Sequence, residues 1–231
     1  MIFDLISAFS SGDTGALKEV IASFLLSLPI IILALSVHET AHGFVAYKLG
    51  DPTAKSLGRL SLNPFKHLDP LGFLCMVAFH FGWAKPVPIN TRYFKKPNRD
   101  MMLSAIAGPI SNILLAFVFG GLLKLLNIVL GFITIPNQLV ANLILFSTIL
   151  LIHGVRINVM FAIFNLLPIP PLDGSRILYM FLPQKIFYKF LQYERYISLA
   201  VFVLLATGIL SKPLSVLSSL LINFIYFIFQ I

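Results

Sequence analysis

The sequence predicts an all-α membrane protein, a polytopic bundle of about five spanning helices with a short strand or hairpin and a re-entrant element. Apolar residues make up 58% of the chain and charged residues only 11%, against roughly 25% charged in typical soluble domains. Long apolar runs recur along the chain, separated by short polar or basic connections. We expect one integral-membrane domain over 1–231, with a core over 17–178 and a closing helical hairpin over 186–231.

The basic residues gather in one part of the chain. The net charge is +8, and nine of the 17 Lys and Arg residues lie between Lys48 and Arg99. The positive-inside rule predicts such a cluster, set between hydrophobic segments, for a cytoplasmic connection. The position of the basic residues is therefore explained by insertion of the chain in a lipid bilayer, and a nucleic-acid partner is not expected.

The first long helix is expected over 17–49, which is long enough to cross about 30 Å of hydrocarbon. Near its end it carries His38-Glu39-Thr40-Ala41-His42. Histidines four residues apart share one face of a helix, so both imidazoles can reach one divalent metal ion. Glu39 points aside, where its carboxylate can take a proton from a water molecule. This H-E-x-x-H pattern is typical of zinc hydrolases, and the competing interpretation is a hydrogen-bonded polar cluster in a core.

The region after the first helix is too irregular for another span. Polar and apolar residues alternate within 57–62, around Arg59-Leu60-Ser61-Leu62, which predicts a short strand or hairpin. The apolar run from Leu71 to Phe81 is too short to cross a bilayer. We interpret it as a re-entrant element, which is tolerated only where protein shields its backbone.

Two further spans are expected, from Met101 to about Asn127 and from about Gln138 to Leu167. Small residues in the first of these allow close approach to the helix with the H-E-x-x-H pattern; they are Ala105, Ala107, Gly108 and Ser111. Three prolines within 168–171 cannot remain helical and predict an extended chain. The segments Tyr196–Leu210 and Leu214–Phe229 would then form the closing hairpin.

A catalytic zinc ion needs a third protein ligand beside an open position, and the topology favours Asp173. If 50–100 is cytoplasmic, the first helix runs inward, the second outward and the third inward again. Asp173 then emerges on the same side as His38 and His42. The competing role for Asp173 is to cap the helix that starts near Ser175.

Other polar residues near the ends of the helices have open roles. Asn165 lies on the last turn before the prolines and can donate a hydrogen bond to a developing oxyanion, or else make an interhelical bond. His153 and Arg156 are expected to be structural groups inside the bundle. His67 and His80 are expected at the membrane surface.

Taken together, these residues resemble the site-2 protease family of intramembrane metalloproteases. The resemblance covers about residues 35–178 and is carried by the H-E-x-x-H pattern with Asn165-x-x-Pro168-x-Pro170-x-x-Asp173-Gly174, Gly58-Arg59-x-Ser61-Leu62-Asn63-Pro64, Gly82-Trp83-Ala84-Lys85-Pro86-Val87-Pro88 and Ala107-Gly108-Pro109-x-x-Asn112. The chain is similar to the minimal form, with no PDZ or CBS domain expected. Where some members have Asp-Gly-Gly, this chain has Asp173-Gly174-Ser175.

The resemblance implies one zinc ion held by His38, His42 and Asp173, with Glu39 as the general base. It implies cleavage of a peptide bond in or beside a transmembrane helix of a membrane-protein substrate. We expect a prokaryotic cytoplasmic membrane with the active site towards the cytoplasm.

Two alternative functions are considered from the same residues. A prenyl-protein protease shares only the H-E-x-x-H pattern, and its third ligand, a glutamate on a distant helix, has a counterpart only in Glu194. A membrane metal transporter or metal-binding scaffold would use His38, His42 and Asp173, with His153 as part of the passage, without needing Glu39 as a base.

Overall fold

A computed structural model describes residues 13–79 and 84–231 of the chain. Its α-helices are α1 (Thr14–Lys48), α2 (Thr53–Ser56), α3 (Pro70–Phe79), α4 (Pro97–Leu130), α5 (Gln138–Asn165), α6 (Asp173–Tyr179), α7 (Gln184–Ala206) and α8 (Ser211–Phe229). Short 3-10 turns lie at Pro64–Lys66 and Thr91–Tyr93. The all-α prediction is confirmed for these residues.

Four of the described helices are long and apolar enough to cross a membrane: α1, α4, α5 and α8. The sequence led us to expect about five. Helix α7 is not among the four, because Lys185, Lys189, Glu194 and Arg195 all lie in its first half. The chain is therefore an integral membrane protein built around these apolar helices.

The bounds of α1, α4 and α5 lie close to the predicted ones, whereas α7 begins at Gln184 instead of Tyr196. Local capping chemistry accounts for the starts of α1 and α4. Helix α1 begins where the Asp13 carboxylate accepts hydrogen bonds from the backbone N–H groups of Gly15 (2.9 Å) and Ala16 (3.0 Å). It ends before Gly50, whose φ of 111° is open to glycine and strained for other residues. Helix α4 begins at Pro97, and the Asp100 carboxylate accepts from the Lys96 N–H at 2.9 Å.

The strand expected over 57–62 is absent from the described structure, where these residues form turns and bends. The carbonyl oxygen of Ser61 accepts hydrogen bonds from the Thr40 hydroxyl (2.8 Å) and the His67 ring (2.6 Å). Because side chains bind this backbone, it does not pair with a second strand. A single antiparallel bridge, between Leu68 and Ala84, is found among the described residues.

The proline run is compact where an extended chain was expected. Residues 166–172 form turns, with backbone hydrogen bonds from Ile169 to Leu167 (2.8 Å) and from Leu172 to Ile169 (3.0 Å). The turns bring the start of α6 against the end of α5, where Gly174 packs on the Leu166 and Leu167 carbonyl groups. Helix α3 covers much of the stretch expected as a re-entrant element, while the rest of that stretch, with His80, lies outside the described residues, as does Trp83.

Helices α1, α4 and α5 pack together, and α8 covers α4 and α5. The buried apolar contact between α4, α5 and α8 is made by Ala116, Phe119, Val155, Val159 and Ile225. Buried polar residues lie nearer the other end of α4, at Ser104 and Asn112. The buried polar residues are therefore concentrated where α4 packs against α1.

Candidate metal centre

Three side chains from two helices converge at the end of α1. His38 and His42 lie one turn apart on α1, and Asp173 is the first residue of α6. The Asp173 Oδ2 atom lies 3.0 Å from His38 Nε2 and 3.2 Å from His42 Nε2. The two Nε2 atoms are 3.0 Å apart. The predicted set His38, His42 and Asp173 is therefore brought together as a group that can hold a metal ion.

The spacing of these three atoms fits a tetrahedral zinc site. Three ligands at zinc–ligand distances of about 2.0–2.1 Å occupy one face of a tetrahedron and lie about 3.3 Å from one another. The observed separations of 3.0–3.2 Å are close to that value. Two imidazoles and one carboxylate leave a fourth position for water or substrate, which is the donor set of catalytic rather than structural zinc.

The second nitrogen of each imidazole is bound to an acceptor that fixes the ring. His38 Nδ1 lies 2.6 Å from the Asn112 Oδ1 atom, and His42 Nδ1 lies 2.7 Å from the Ser104 carbonyl oxygen. Both acceptors require a proton on Nδ1, so each Nε2 presents its lone pair to the space shared with Asp173. Helix α4 thus supplies the groups that orient both α1 histidines.

Asn112 is itself held in one orientation by a buried chain of hydrogen bonds. Its amide nitrogen donates to the Ala34 carbonyl (3.2 Å) and to the Asn158 Oδ1 atom (3.0 Å). The Asn158 amide in turn donates to the Gly154 carbonyl at 2.8 Å. Because both asparagines are fully buried, their partners are fixed and the Oδ1 atom of Asn112 must face His38.

Gly108 of α4 lies directly against the two imidazoles. A Cβ atom at this position would lie 2.5 Å from His42 Nε2 and 2.6 Å from His38 Cε1, closer than atoms can approach. Only glycine leaves room for both rings between α1 and α4. The small-residue stretch of α4 therefore does allow the close approach that the sequence predicted.

Glu39 lies beside the histidines on α1, and its Oε2 atom accepts a hydrogen bond from the Val87 N–H at 2.8 Å. This carboxylate is half-buried, whereas His38 and His42 are only 5% and 6% exposed. Glu39 is therefore close to the three converging side chains but engaged with a different part of the chain. The sequence carries no signal for its partner, which is 48 residues away.

Burial alone would raise the pKa of the Asp173 carboxyl, but hydrogen bonds from His38 and His42 rings that also carry a proton on Nε2 outweigh that effect and lower it. A bound metal ion would take the place of those protons, so the carboxylate is suited to binding a cation. Three other acidic residues bind backbone N–H groups away from the site; they are Asp51, Asp69 and Asp100. These contacts leave Asp173 as the acidic member of the described site.

The other polar residues singled out in the sequence make contacts away from the three converging side chains. The Asn165 amide donates to the Phe161 carbonyl of its own helix at 3.0 Å. His153 Nδ1 lies 3.2 Å from the Ser27 hydroxyl on α1, and Arg156 is exposed. His67 is buried and bound to Ser61, although a surface position was expected.

Sequence reasoning missed the roles of Ser104, Asn112 and Asn158 in holding the histidines. The sequence marks Asn112 only as part of a motif. The available signal was the presence of uncharged polar residues on two apolar helices facing the first, since such residues seek partners inside a bundle.

Comparison with known proteins decides the family. The family model described as "Peptidase family M50" matches residues 24–209, which include all three converging side chains and Glu39. The chain belongs to peptidase family M50. This confirms the resemblance to the site-2 proteases, and makes the chain an intramembrane zinc metalloprotease whose cofactor is zinc.

Individual relatives agree with this assignment. The chain is 43% identical over 182 residues to "Putative zinc metalloprotease YwhC" of Bacillus subtilis (strain 168), covering 77% of this chain and 78% of that protein. It is 29% identical over 162 residues to "Putative zinc metalloprotease MJ0611" of Methanocaldococcus jannaschii, covering 68% and 76%. "Putative zinc metalloprotease Rip2" of Mycolicibacterium smegmatis is 27% identical over 173 residues, with 72% of this chain and 61% of that protein covered. No solved structure matches the chain.

Proposed function

We propose that this intramembrane metalloprotease cleaves a peptide bond in or beside a transmembrane helix of a membrane-protein substrate. The observation that carries the proposal is the triangle of His38 Nε2, His42 Nε2 and Asp173 Oδ2, with sides of 3.0–3.2 Å. It lies at the end of an apolar helix long enough to cross the bilayer. A hydrolytic centre built there acts on chains that enter the same membrane.

In this proposal His38, His42 and Asp173 bind one zinc ion and Glu39 is the general base. Zinc bound there supplies a Lewis acid that polarises a carbonyl oxygen and makes water a better nucleophile. The Nδ1 contacts of the histidines orient them for this task. Glu39 removes a proton from the attacking water and later delivers it to the leaving amine. Asn165 donates a hydrogen bond to the oxyanion after releasing the Phe161 carbonyl.

The burial of the site determines what the substrate must do. Peptide bonds within a transmembrane helix are hydrogen-bonded internally, so the substrate has to unwind locally before its carbonyl group reaches the metal centre. His38 and His42 are almost completely buried, so an intact substrate helix cannot lie against them. We propose that substrates with helix-destabilising residues near the cytoplasmic membrane surface are preferred.

The distribution of basic residues supports a proposal for the orientation of the protein in its membrane. We propose that it occupies the cytoplasmic membrane of a prokaryote as a single domain over 1–231, with the basic connection 50–96 and the metal centre towards the cytoplasm. The closing hairpin formed by α7 and α8, with α7 as a fifth span, and the re-entrant element around α3 belong to the same proposal.

The test is cleavage of a reporter transmembrane protein by purified enzyme in liposomes, with the cut located by mass spectrometry. Enzyme stripped with a chelator should be inactive, and stoichiometric zinc should restore cleavage. The new termini should lie within the apolar segment of the reporter or within a few residues of it. Cuts confined to soluble loops, or cleavage that survives removal of zinc, would contradict the proposal.

A further inference from the structure

The stretch Lys85–Asn90, here called the Val87 segment, has no regular secondary structure, yet side chains from other parts of the chain bind its backbone. Arg59 Nη2 donates to the carbonyl oxygens of Lys85 (2.7 Å) and Pro86 (3.2 Å). The Val87 N–H donates to Glu39 Oε2 at 2.8 Å, and the Asn90 N–H donates to Asp51 Oδ2 at 2.7 Å. Charged side chains therefore hold both ends and the middle of this segment.

Val87 contacts α1 at two points on one face of the helix. Its N–H binds Glu39, and its side chain, only 7% exposed, lies against Gly43. A Cβ atom on Gly43 would lie 3.0 Å from Val87 Cγ1, so the valine packs closely against α1 in space that glycine leaves open. Glu39 and Gly43 are four residues apart and therefore lie one turn apart on the same face of α1, so Val87 contacts two successive turns of the helix. The position of Val87 thereby sets the position of the Glu39 carboxylate.

Asp51 connects the end of α1 to the far end of the Val87 segment. Its carboxylate is fully buried and uses both oxygens. Oδ1 accepts from the Thr53 N–H at 3.0 Å and from the Thr53 hydroxyl, while Oδ2 accepts from Asn90. Burying a charge is costly unless hydrogen bonds replace its water, and charge-assisted hydrogen bonds of this kind are strong and directional. Asp51 is thus a rigid link between α1 and the segment that contacts the base.

We infer that Asp51 positions the Glu39 carboxylate for proton transfer, acting through the Val87 segment. The inference rests on the proposed role of Glu39 as the general base. Within the part of the chain that the structure describes, the Asp51 carboxylate binds Thr53 and Asn90, while His38, His42 and Asp173 have other partners. Loss of its bond to Asn90 releases one end of the segment, and Glu39 then loses the fixed donor that orients it. Since a misplacement of about 1 Å can lower a rate by roughly 100-fold, the effect falls on turnover.

The experiment compares Asp51→Asn with wild type in the full-length, zinc-loaded protein. Amide hydrogen exchange at Val87 and Asn90 is measured together with zinc content, kcat and KM for reporter cleavage. We expect exchange at both amides to rise tenfold or more and kcat to fall by about 10- to 100-fold. Zinc per chain and KM should remain within twofold of wild type.

Asp69→Asn is the matched control. Asp69 also accepts a backbone N–H, that of Gly72 at 2.8 Å, but it caps α3 instead of holding the Val87 segment. This variant should leave exchange at Val87 and kcat unchanged. Arg59→Gln loosens the other end of the segment, where the Lys85 N–H still donates to the His67 carbonyl at 2.8 Å, and should reproduce the pattern of Asp51→Asn in weaker form.

Unchanged exchange at Val87 in Asp51→Asn, or faster exchange with an unchanged kcat, would overturn the inference. Loss of zinc or of the folded chain in that variant would assign Asp51 to the fold and also overturn it. The proposed function fails separately, when wild type does not cleave or when Glu39→Gln cleaves as well as wild type. The amide exchange measurement decides whether Asp51 holds the segment in either case.

Discussion

The two histidine rings of the metal centre are fixed in orientation by their hydrogen-bond partners and by close packing. Each ring has an acceptor on Nδ1 and a neighbour on Nε2, and Gly108 closes the side that faces α4. The histidines and Asp173 were predictable from the sequence because ligand spacing and helix direction determine them. The orientation of Glu39 was not, because its donor Val87 is distant in the chain and lies in an irregular segment.

Gly108→Ala tests the closeness of this packing. The added Cβ would collide with both imidazoles, and overpacking of this kind costs roughly 1–3 kcal/mol, so zinc affinity should fall by about tenfold or more. Affinity is measured by competition with a chelating dye on purified protein. Gly121→Ala on the same helix is the control, because its Cβ would make only ordinary contacts of 3.5–3.6 Å with Phe229. Equal zinc affinity in the two variants would contradict the packing described for Gly108.

Helices α1, α4 and α5 are joined by one buried polar pair. Asn112 on α4 binds both His38 and Ala34 of α1, and it donates to Asn158 of α5. Helix bounds were predictable from apolar runs and capping residues, whereas this pairing depends on which faces of three helices meet. Apolar runs without clear periodicity do not specify those faces, so the contact could not be derived from the chain alone.

Asn158→Ala removes the α5 member of this pair. The Asn112 amide then keeps only the Ala34 carbonyl, and a buried donor left without its partner costs about 1–3 kcal/mol of stability. Zinc affinity should also fall, because Asn112 is freer to turn away from His38. Denaturant unfolding in detergent and zinc competition measure the two effects. Asn142→Ala is the control, since Asn142 lies on the exposed part of α5. An equal loss of stability in both variants would contradict the role given to Asn158.

The whole molecule places a hydrolytic centre at one end of a helix bundle. Composition and long apolar runs were enough to predict a membrane protein and most of its helices, and helix direction was enough to predict that Asp173 meets the histidines. The expected strand over 57–62 was wrong because alternation of side chains indicates a strand only where the backbone has a partner strand. Here Thr40 and His67 take the Ser61 carbonyl instead.

The orientation of the bundle is tested by labelling cysteines in intact cells. Cys75 is the single native cysteine and is first replaced by serine. With a membrane-impermeant maleimide, Thr134→Cys in the connection between α4 and α5 should be labelled, whereas Lys95→Cys in the basic connection should be labelled only after lysis. Both positions are exposed, so accessibility does not separate them. The reverse pattern would place the metal centre on the opposite side of the membrane.

The most direct measurement is zinc content and reporter cleavage on the same samples of wild type, Glu39→Gln and Asp173→Ala in liposomes. We predict one zinc ion per chain with cleavage in wild type, one zinc ion without cleavage in Glu39→Gln, and loss of both in Asp173→Ala. Full zinc content and cleavage in Asp173→Ala would contradict the proposed ligand set. Undiminished cleavage in Glu39→Gln would contradict its role as the base.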